Sequence, residues 1–330
     1  MLIHRDGWQY SGKTPAFFSG QSGCYCCGVG IGSLVSFYGF KTPGPIRIKD
    51  TDSYVIDTWT SKTDGPTPER DRAAAATVQG IAYVFGGIEG TSPFFLTSNQ
   101  SYVLSTDTFT SRAAMTASRN AQAGLGIGDY AYSMGGQDGT FVPLRTTYQY
   151  DPAGNSWSTK TDTPTPPRNY AAAFALSGNG YLVGGLSDAG NTLKDNDQYD
   201  PSANAWTGKT DCGTQRFGAG GMAIDGKGYF MLGNEGFGSL SGICEEYDAS
   251  ANSWTTKANL STSSPSSLNR YHIGGVSPGS TSEGFAVSGF DSTLTAVNNH
   301  DQYAPGSGVW TVRTVIPSPA RYFHACAESV

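Results

Sequence analysis

GNGYLVGGLSDAGNTLKDNDQYDPSANAW, residues 178–206, decides the fold, because versions of it recur along nearly the whole 330-residue chain. An apolar run ends in a small-residue doublet at Gly86-Gly87, Gly135-Gly136, Gly184-Gly185 and Gly233-Asn234, the first members 49 residues apart each time. Weaker copies stand at Gly39-Phe40 and Gly289-Phe290. Behind the doublets come a tyrosine and, seven residues on, a second ring: Tyr102/Phe109, Tyr150/Trp157, Tyr199/Trp206, Tyr247/Trp254 and Tyr303/Trp310, with Tyr54/Trp59 shortened. A period of about 50 residues built from short apolar runs and turn residues marks a repeat architecture. A single four-stranded sheet has two apolar faces and cannot cover both, so each copy must pack on the next.

The anchors have physical reasons. Glycine after a strand such as IAYVFGG permits positive φ and lets another strand approach without a Cβ in the way. Tyr and Trp are large flat side chains that fill the wedge between sheets, with a polar edge left for a backbone partner. Arginines open Ala- and Gly-rich strands at Arg72, Arg119, Arg168, Arg216, Arg270 and Arg321, at intervals of 47, 49, 48, 54 and 51. Small residues suit strands crowded around a narrow channel. Pro-containing linkers such as Thr163-Pro-Thr-Pro-Pro167 lead from one copy to the next.

Gly-Gly, then Tyr, then Trp at this period resembles the kelch family over roughly residues 30 to 330. The resemblance implies an all-β, six-bladed kelch-type β-propeller of four-stranded antiparallel blades. Seven inner strands, the first at Cys24, meet only six doublets. The last inner strand is therefore expected to pair with the first blade and close the ring, which removes two exposed sheet edges. Residues 1–21 form an arm or extra strand and 22–330 the propeller. The blades run over 22–60 plus 320–329, 72–110, 119–158, 168–207, 216–255 and 268–311, with the Cys24 strand an addition.

Composition narrows the function. Net charge is −6 with only 21 Lys and Arg, which argues against a nucleic-acid partner. No apolar run approaches the length of a membrane span. The start MLIHRDGWQYSGK lacks the charged-then-apolar order of a signal peptide, so the chain is expected to be made in cytosol with its six cysteines reduced. Cys24, Cys26 and Cys27 lack zinc-site spacing, and neither a metal nor a cofactor is expected.

Function is expected at loops and rims. The six arginines converge on one face, where they either bind carboxylates of a partner or tie their own linkers. On the binding reading, Arg168→Ala with Arg216→Ala leaves the fold intact and weakens an acidic partner. Loops behind the doublets carry Phe94, Phe95, Phe141 and Phe237, read either as a contact patch or as covers for the blade ends. Two enzymatic alternatives follow from the resemblance. Tyr271, His272, Tyr322 and His324 are similar to the copper ligands of galactose-oxidase-like kelch enzymes, although alternation places Tyr271 and His272 on opposite strand faces. A sugar-epimerising kelch propeller would use Glu235 and an arginine. The preferred expectation is a non-enzymatic scaffold for a protein or glycan partner. The Thr/Ser/Gly-rich, Lys-poor makeup resembles phage virion components, implying host recognition and assembly through residues 1–21.

Overall fold

The computed structural model describes residues 25–26, 33–41, 46–55, 58–65, 70–89, 94–236, 238–260, 269–277, 282–315 and 325–329. Residues 1–21, Cys24, Cys27, Phe237, Arg321, Tyr322 and His324 lie outside this set. The named elements are all β-strands. Sheet 1 orders Ala325–Ser329, Ser33–Lys41, Ile46–Val55 and Thr58–Lys62, so the chain's last strand lies innermost beside an early one, with Ser33 opposite Ser329 and Phe37 opposite Ala325. Sheet 2 is Ala74–Val78, Ile81–Phe85, Asn99–Val103 and Thr108–Arg112, with Tyr25–Cys26 added on its inner edge. Sheet 3 is Ala123–Ile127, Tyr130–Met134, Thr147–Asp151 and Ser156–Lys160; sheet 4 is Ala172–Leu176, Asn179–Val183, Asn196–Asp200 and Ala205–Lys209. Sheet 5 is Gly220–Ile224, Lys227–Met231, Cys244–Asp248 and Ser253–Lys257; sheet 6 is Gly274–Val276, Gly284–Phe290, Ala296–Ala304 and Val309–Val312.

Of the expected six four-stranded antiparallel blades, five have that form, sheet 1 and sheets 3 to 6. Sheet 2 has five strands, because Tyr25–Cys26 joins it, and joins it parallel. That short strand therefore belongs beside Ala74 and Ala75, outside the first sheet's 22–60 span. Each sheet's innermost strand neighbours that of the next sheet, and the strand at Ala325–Ser329 neighbours the one at Ala74–Val78, so the cycle closes on itself.

Inner strands pack main chain against main chain. A Cβ on Gly124 would stand 2.6 Å from the Ala75 carbonyl oxygen, and one on Gly221 2.6 Å from that of Ala173. This crowding is why the strands are written in Ala and Gly. Farther out, the rings and aliphatic side chains of facing sheets form the core, as where Tyr132, Met134 and Leu125 of sheet 3 pack with Leu182 and Tyr199 of sheet 4.

The paired rings stitch neighbouring sheets together. The Tyr150 hydroxyl donates to Asn155 Oδ1 (2.7 Å), which also accepts from the Ala113 N–H of the preceding sheet (2.9 Å). Trp157 Nε1 then donates to the Ala113 carbonyl (2.8 Å). The same three-part stitch recurs with Tyr199, Asn204 and Trp206 on Thr161, and with Tyr247, Asn252 and Trp254 on Thr210. Asparagine fits there because the three positions hold φ of 45°, 49° and 49°, a region it tolerates well. Trp59 Nε1 reaches the Thr314 carbonyl at 2.9 Å, so the stitch also joins the first and last copies.

Sheet 6 lacks one part of it. Trp310 Nε1 reaches the Ala258 carbonyl, but Gly308, at φ 66°, occupies the asparagine's place. The buried Tyr303 hydroxyl consequently has no hydrogen-bond partner among the described residues. A Cβ on Gly308 would meet nothing within 4 Å. Gly308→Asn is therefore expected to raise stability by about 1–2 kcal/mol, from two hydrogen bonds of about 1 kcal/mol each. Chemical denaturation checks it, with Gly308→Ala as the control that gains nothing because alanine offers no acceptor and is strained at this φ.

Candidate binding site at the channel mouth

The inner strands begin at one end of the channel, and the residues that open them set the site. The register puts Arg70, Arg119, Arg168, Arg216 and Arg270 at equivalent places, each 0–1% exposed. Arg72 is out of this set by two residues: Asp71, Asn120, Phe217 and Tyr271 make equivalent bridges to Ile88, Gln137, Asn234 and Phe290. The guanidiniums point into their own sheets. Arg70 Nη1 donates to the carbonyls of Gly86 and Ser98 (both 3.3 Å), and Arg119 Nη1 to those of Gly135 (3.1 Å) and Thr146 (2.9 Å). Arg168 pairs with Asp197 (2.7 Å), Arg216 with Glu245 (2.6 Å) and Arg270 with Asp301 (2.7 Å). Burial pulls the pKa of Arg119 down to about 10, which leaves it charged at neutral pH. Each arginine thus ties the doublet turn or the third strand to the inner strand, the linker-tying role rather than a ligand-facing one.

The doublet is also shifted in sheet 5. Gly87, Gly136, Gly185 and Gly233 each donate a backbone N–H to the carbonyl of the next sheet's arginine, at 2.9, 3.0, 2.9 and 3.0 Å. The equivalent pair is therefore Leu232-Gly233, with Leu232 at φ 55°, in place of the expected Gly233-Asn234. The second glycine is compulsory, since a Cβ on Gly136 would stand 2.6 Å from the Asn120 carbonyl oxygen.

Two residues beyond each arginine, the chain enters the left-handed region at Arg72, Ala121, Tyr170, Gly218 and His272, with φ of 54°, 53°, 57°, 63° and 56°. These five join hands by backbone. Ala121 N–H donates to Arg72 O (3.1 Å), Tyr170 to Ala121 (3.0 Å), Gly218 to Tyr170 (3.1 Å) and His272 to Gly218 (2.7 Å). The result is a hydrogen-bonded belt around the mouth that sequence reasoning missed, since its members share no chemistry.

The belt's side chains divide the mouth. On one side the rings of Tyr170, Phe217, Tyr271 and Phe290 surround His272, at centroid distances of 5.3, 6.0, 4.3 and 6.3 Å. Burial, with Arg72 nearby, pushes the His272 pKa well below its usual value, so the ring is neutral. On the other side buried amides link sheets 3 and 4: Gln137 Nε2 donates to Asn120 Oδ1 (2.9 Å) and Asn169 Nδ2 to Gln137 Oε1 (2.5 Å). The expected alternation at Tyr271 and His272 fails because the positive φ at His272 brings both rings to one side.

Loops behind the doublets rise around this mouth. In 138–142, 187–191 and 291–295 the first N–H donates to the fifth carbonyl and the fourth N–H to the first carbonyl. The fourth residue is left-handed in all three: Phe141 (φ 63°), Gly190 (φ 76°) and Leu294 (φ 61°). Phe95 and Phe141 meet at 5.3 Å, edge to face, with the Arg72 guanidinium 6.0 Å from the Phe141 ring. Phe94 lies in a two-residue strand paired with Glu89.

No protein-family model matches the chain, and a search of curated proteins finds no match. Among solved structures it is similar to that of YjhT, with a TM-score of 0.72 over 88% of this chain and 97% of that one, at 14% identity. The fold is a β-propeller. Likeness at that identity carries the propeller's architecture and nothing of its chemistry.

The remaining groups sit apart from the propeller's mouth or at its edge. Glu235, half-buried, donates its backbone N–H to the Ser239 carbonyl within the fifth sheet's loop. His300 is buried against Trp59 and Phe285, at 5.2 and 5.0 Å. Cys212 and Cys244 are buried free thiols, their pKa pushed up by burial to about 12. No helix among the described residues is long and apolar enough to cross a membrane.

Proposed function

We propose that this propeller is a kelch-type, non-enzymatic scaffold that binds a protein or glycan partner through the doublet loops around its channel mouth. One observation carries the reading. Of three loops with the same hydrogen-bond frame, one has glycine at its left-handed position, whereas two hold Phe141 and Leu294 there. A bulky residue in that region costs about 1 kcal/mol or more, and Leu294 is 44% exposed, so burial does not offset it. Strain retained at an exposed tip suits a contact residue. The tips stand on sheets 3 and 6, three places apart in the cycle and hence on opposite sides of the mouth.

The test exploits that conflict. Leu294→Gly relieves the φ strain, so stability is expected to hold or rise slightly, while binding to arrayed glycans and host-envelope proteins falls about tenfold for the loss of one apolar contact. Array binding that is indifferent to Leu294→Gly and Phe141→Gly, or no binding at all, removes the reading. Membership of a virion, with host recognition as the role, is part of the proposal. It rests on the Ser/Thr/Gly-rich, Lys-poor composition, and mass spectrometry of purified particles tests it.

A further inference from the structure

Among the described residues, three of the six exposed large hydrophobic side chains crowd onto one edge: Val309 (48% exposed), Val312 (38%) and Val315 (45%). Val309 and Val312 bound the outer strand of sheet 6, and Val315 follows three residues on. No described strand pairs with the far side of that strand, which ends its sheet. The other large sheets end on the same kind of strand, written in different residues. Aligned on the outer-strand ring, sheets 1 to 5 carry Thr, Thr, Ser, Ala and Ser at the place of Val309, and Ser, Ser, Thr, Gly and Thr at that of Val312. At the place of Val315 they carry Asp, Ala, Asp, Asp and Asn. Polar residues blunt a sheet edge, whereas a hydrophobic edge is a template for another strand. Sheet 6 alone keeps the template.

The main chain fixes which groups a partner strand could use. Arg313 N–H donates inward to the His300 carbonyl at 2.8 Å, and Val312 stands opposite Asp301 and Trp310 opposite Tyr303. Inward and outward hydrogen-bonding groups alternate along an antiparallel strand. Those of Val309 and Thr311 therefore point inward with Arg313, and those of Trp310 and Val312 point out. Two copies related by a twofold axis match outward groups when the axis passes residue 311, 312 or 313. An axis at Thr311 sets Val309 against Arg313, and one at Arg313 sets two guanidiniums against each other, which is unfavourable. An axis at Val312 sets Val312 against Val312 and Val309 against Val315 on both sides, so every exposed valine of the edge meets a valine. The spacing V-x-x-V-x-x-V reads alike from either end, the self-complementarity that a twofold interface requires. We infer that the outer strand of sheet 6 pairs edge to edge, antiparallel, with the same strand of a second copy of this chain about an axis at Val312. This surface is separate from the mouth loops, and neither reading depends on the other.

One strand edge is small beside the roughly 1,600 Å² of a standard interface, so the pairing is expected to be weak and reversible. Sedimentation equilibrium of the full-length chain from about 5 to about 500 µM, the range that suits weak association, is expected to show monomer passing to dimer and nothing larger. Val312→Lys places two ammonium groups against each other at the axis and is expected to weaken the dimer about tenfold. Thr256→Lys, at the same place on sheet 5's outer strand, should leave it unchanged. Val312→Thr, the residue that sheets 3 and 5 carry there, should weaken it about threefold and keeps the test open if lysine disturbs the strand. The register is read from hydrogen exchange: the outward Val312 N–H should exchange about tenfold more slowly when nine chains in ten are paired. A chain that stays monomeric throughout, or a dimer indifferent to both Val312 variants, overturns the inference. So does a dimer weakened equally by Thr256→Lys, or one in which Val312 exchange does not depend on concentration, since either places the interface elsewhere.

Discussion

Arg216→Ala is expected to destabilise the propeller by about 3–5 kcal/mol, the range for breaking a buried ion pair from one side. The side chains of Arg216 and Glu245 are 0% and 3% exposed and 2.6 Å apart. Removing the guanidinium strands the Glu245 carboxylate, whose other oxygen already accepts the Gly213 N–H at 2.7 Å. It also uncovers the Phe230 ring, over which the guanidinium lies at 4.3 Å, and the Phe230 carbonyl to which it donates at 3.1 Å. A fall in the chemical-denaturation midpoint, with the slope unchanged, reads the effect. Arg216→Met combined with Glu245→Leu should recover much of the loss, since an apolar pair of similar volume leaves no charge behind. Arg119→Ala should cost less: its guanidinium donates to Thr146 and to the Gly135 and Thr146 carbonyls and lies 4.1 Å over the Tyr148 ring, and none of these is a carboxylate left charged. A wild-type midpoint for Arg216→Ala would show that the arginine is not structural. An intact fold for the Arg168→Ala, Arg216→Ala pair is what the binding reading of the arginines expects; the buried ion pairs favour the linker-tying alternative.

Some of this was legible before any coordinates. The Tyr and Trp spacing is a direct imprint of two outer strands in register, since Tyr150 stands opposite Trp157 and Tyr199 opposite Trp206. Even the shortened pair keeps Tyr54 opposite Trp59, because the shortening falls in the turn between them. Closure could be read from an inner strand left without a sheet, and Phe37 opposite Ala325 makes that pairing. The misplaced arginine and doublet share one cause, the sign of φ, which residue types report poorly. Arg70-Asp71-Arg72 offers two arginines, and periodicity alone does not say which begins the strand; the left-handed residue comes third and is Arg72 itself. Leu232 in a left-handed turn hid the true place of the doublet in sheet 5. The belt of Arg72, Ala121, Tyr170, Gly218 and His272 is held by main-chain groups, so no pattern of side chains announces it. Of the four phenylalanines singled out, the structure joins Phe95 and Phe141 at the rim. What distinguishes Phe141 is its backbone, matched at Leu294, a residue with no aromatic signal to draw attention.

Gly126→Ala is expected to be the most damaging single methyl in the ring. Gly126 lies on sheet 3's inner strand, and a Cβ there would stand 2.0 Å from the Thr77 carbonyl oxygen and 3.1 Å from its carbon. Nothing flexible can move aside, since the obstacle is the main chain of sheet 2's inner strand. That strand is bound to Ile81–Phe85 on one side, with Thr77 paired to Ala82, and to Tyr25–Cys26 on the other. A contact this short must open by more than 1 Å, and ordinary overpacking of a core costs about 1–3 kcal/mol with relaxation available. In a closed ring a displacement of one inner strand has to be taken up by its neighbours around the cycle, so the loss should reach about 3 kcal/mol or more. Gly178→Ala isolates the backbone contribution: it has φ 79° and nothing within 4 Å of an added Cβ, and should lose only about 1 kcal/mol from the conformation itself. A Gly126→Ala midpoint no lower than that of Gly178→Ala would mean that the inner strands stand farther apart than main-chain contact, and the crowding that explains their Ala and Gly would be lost with it.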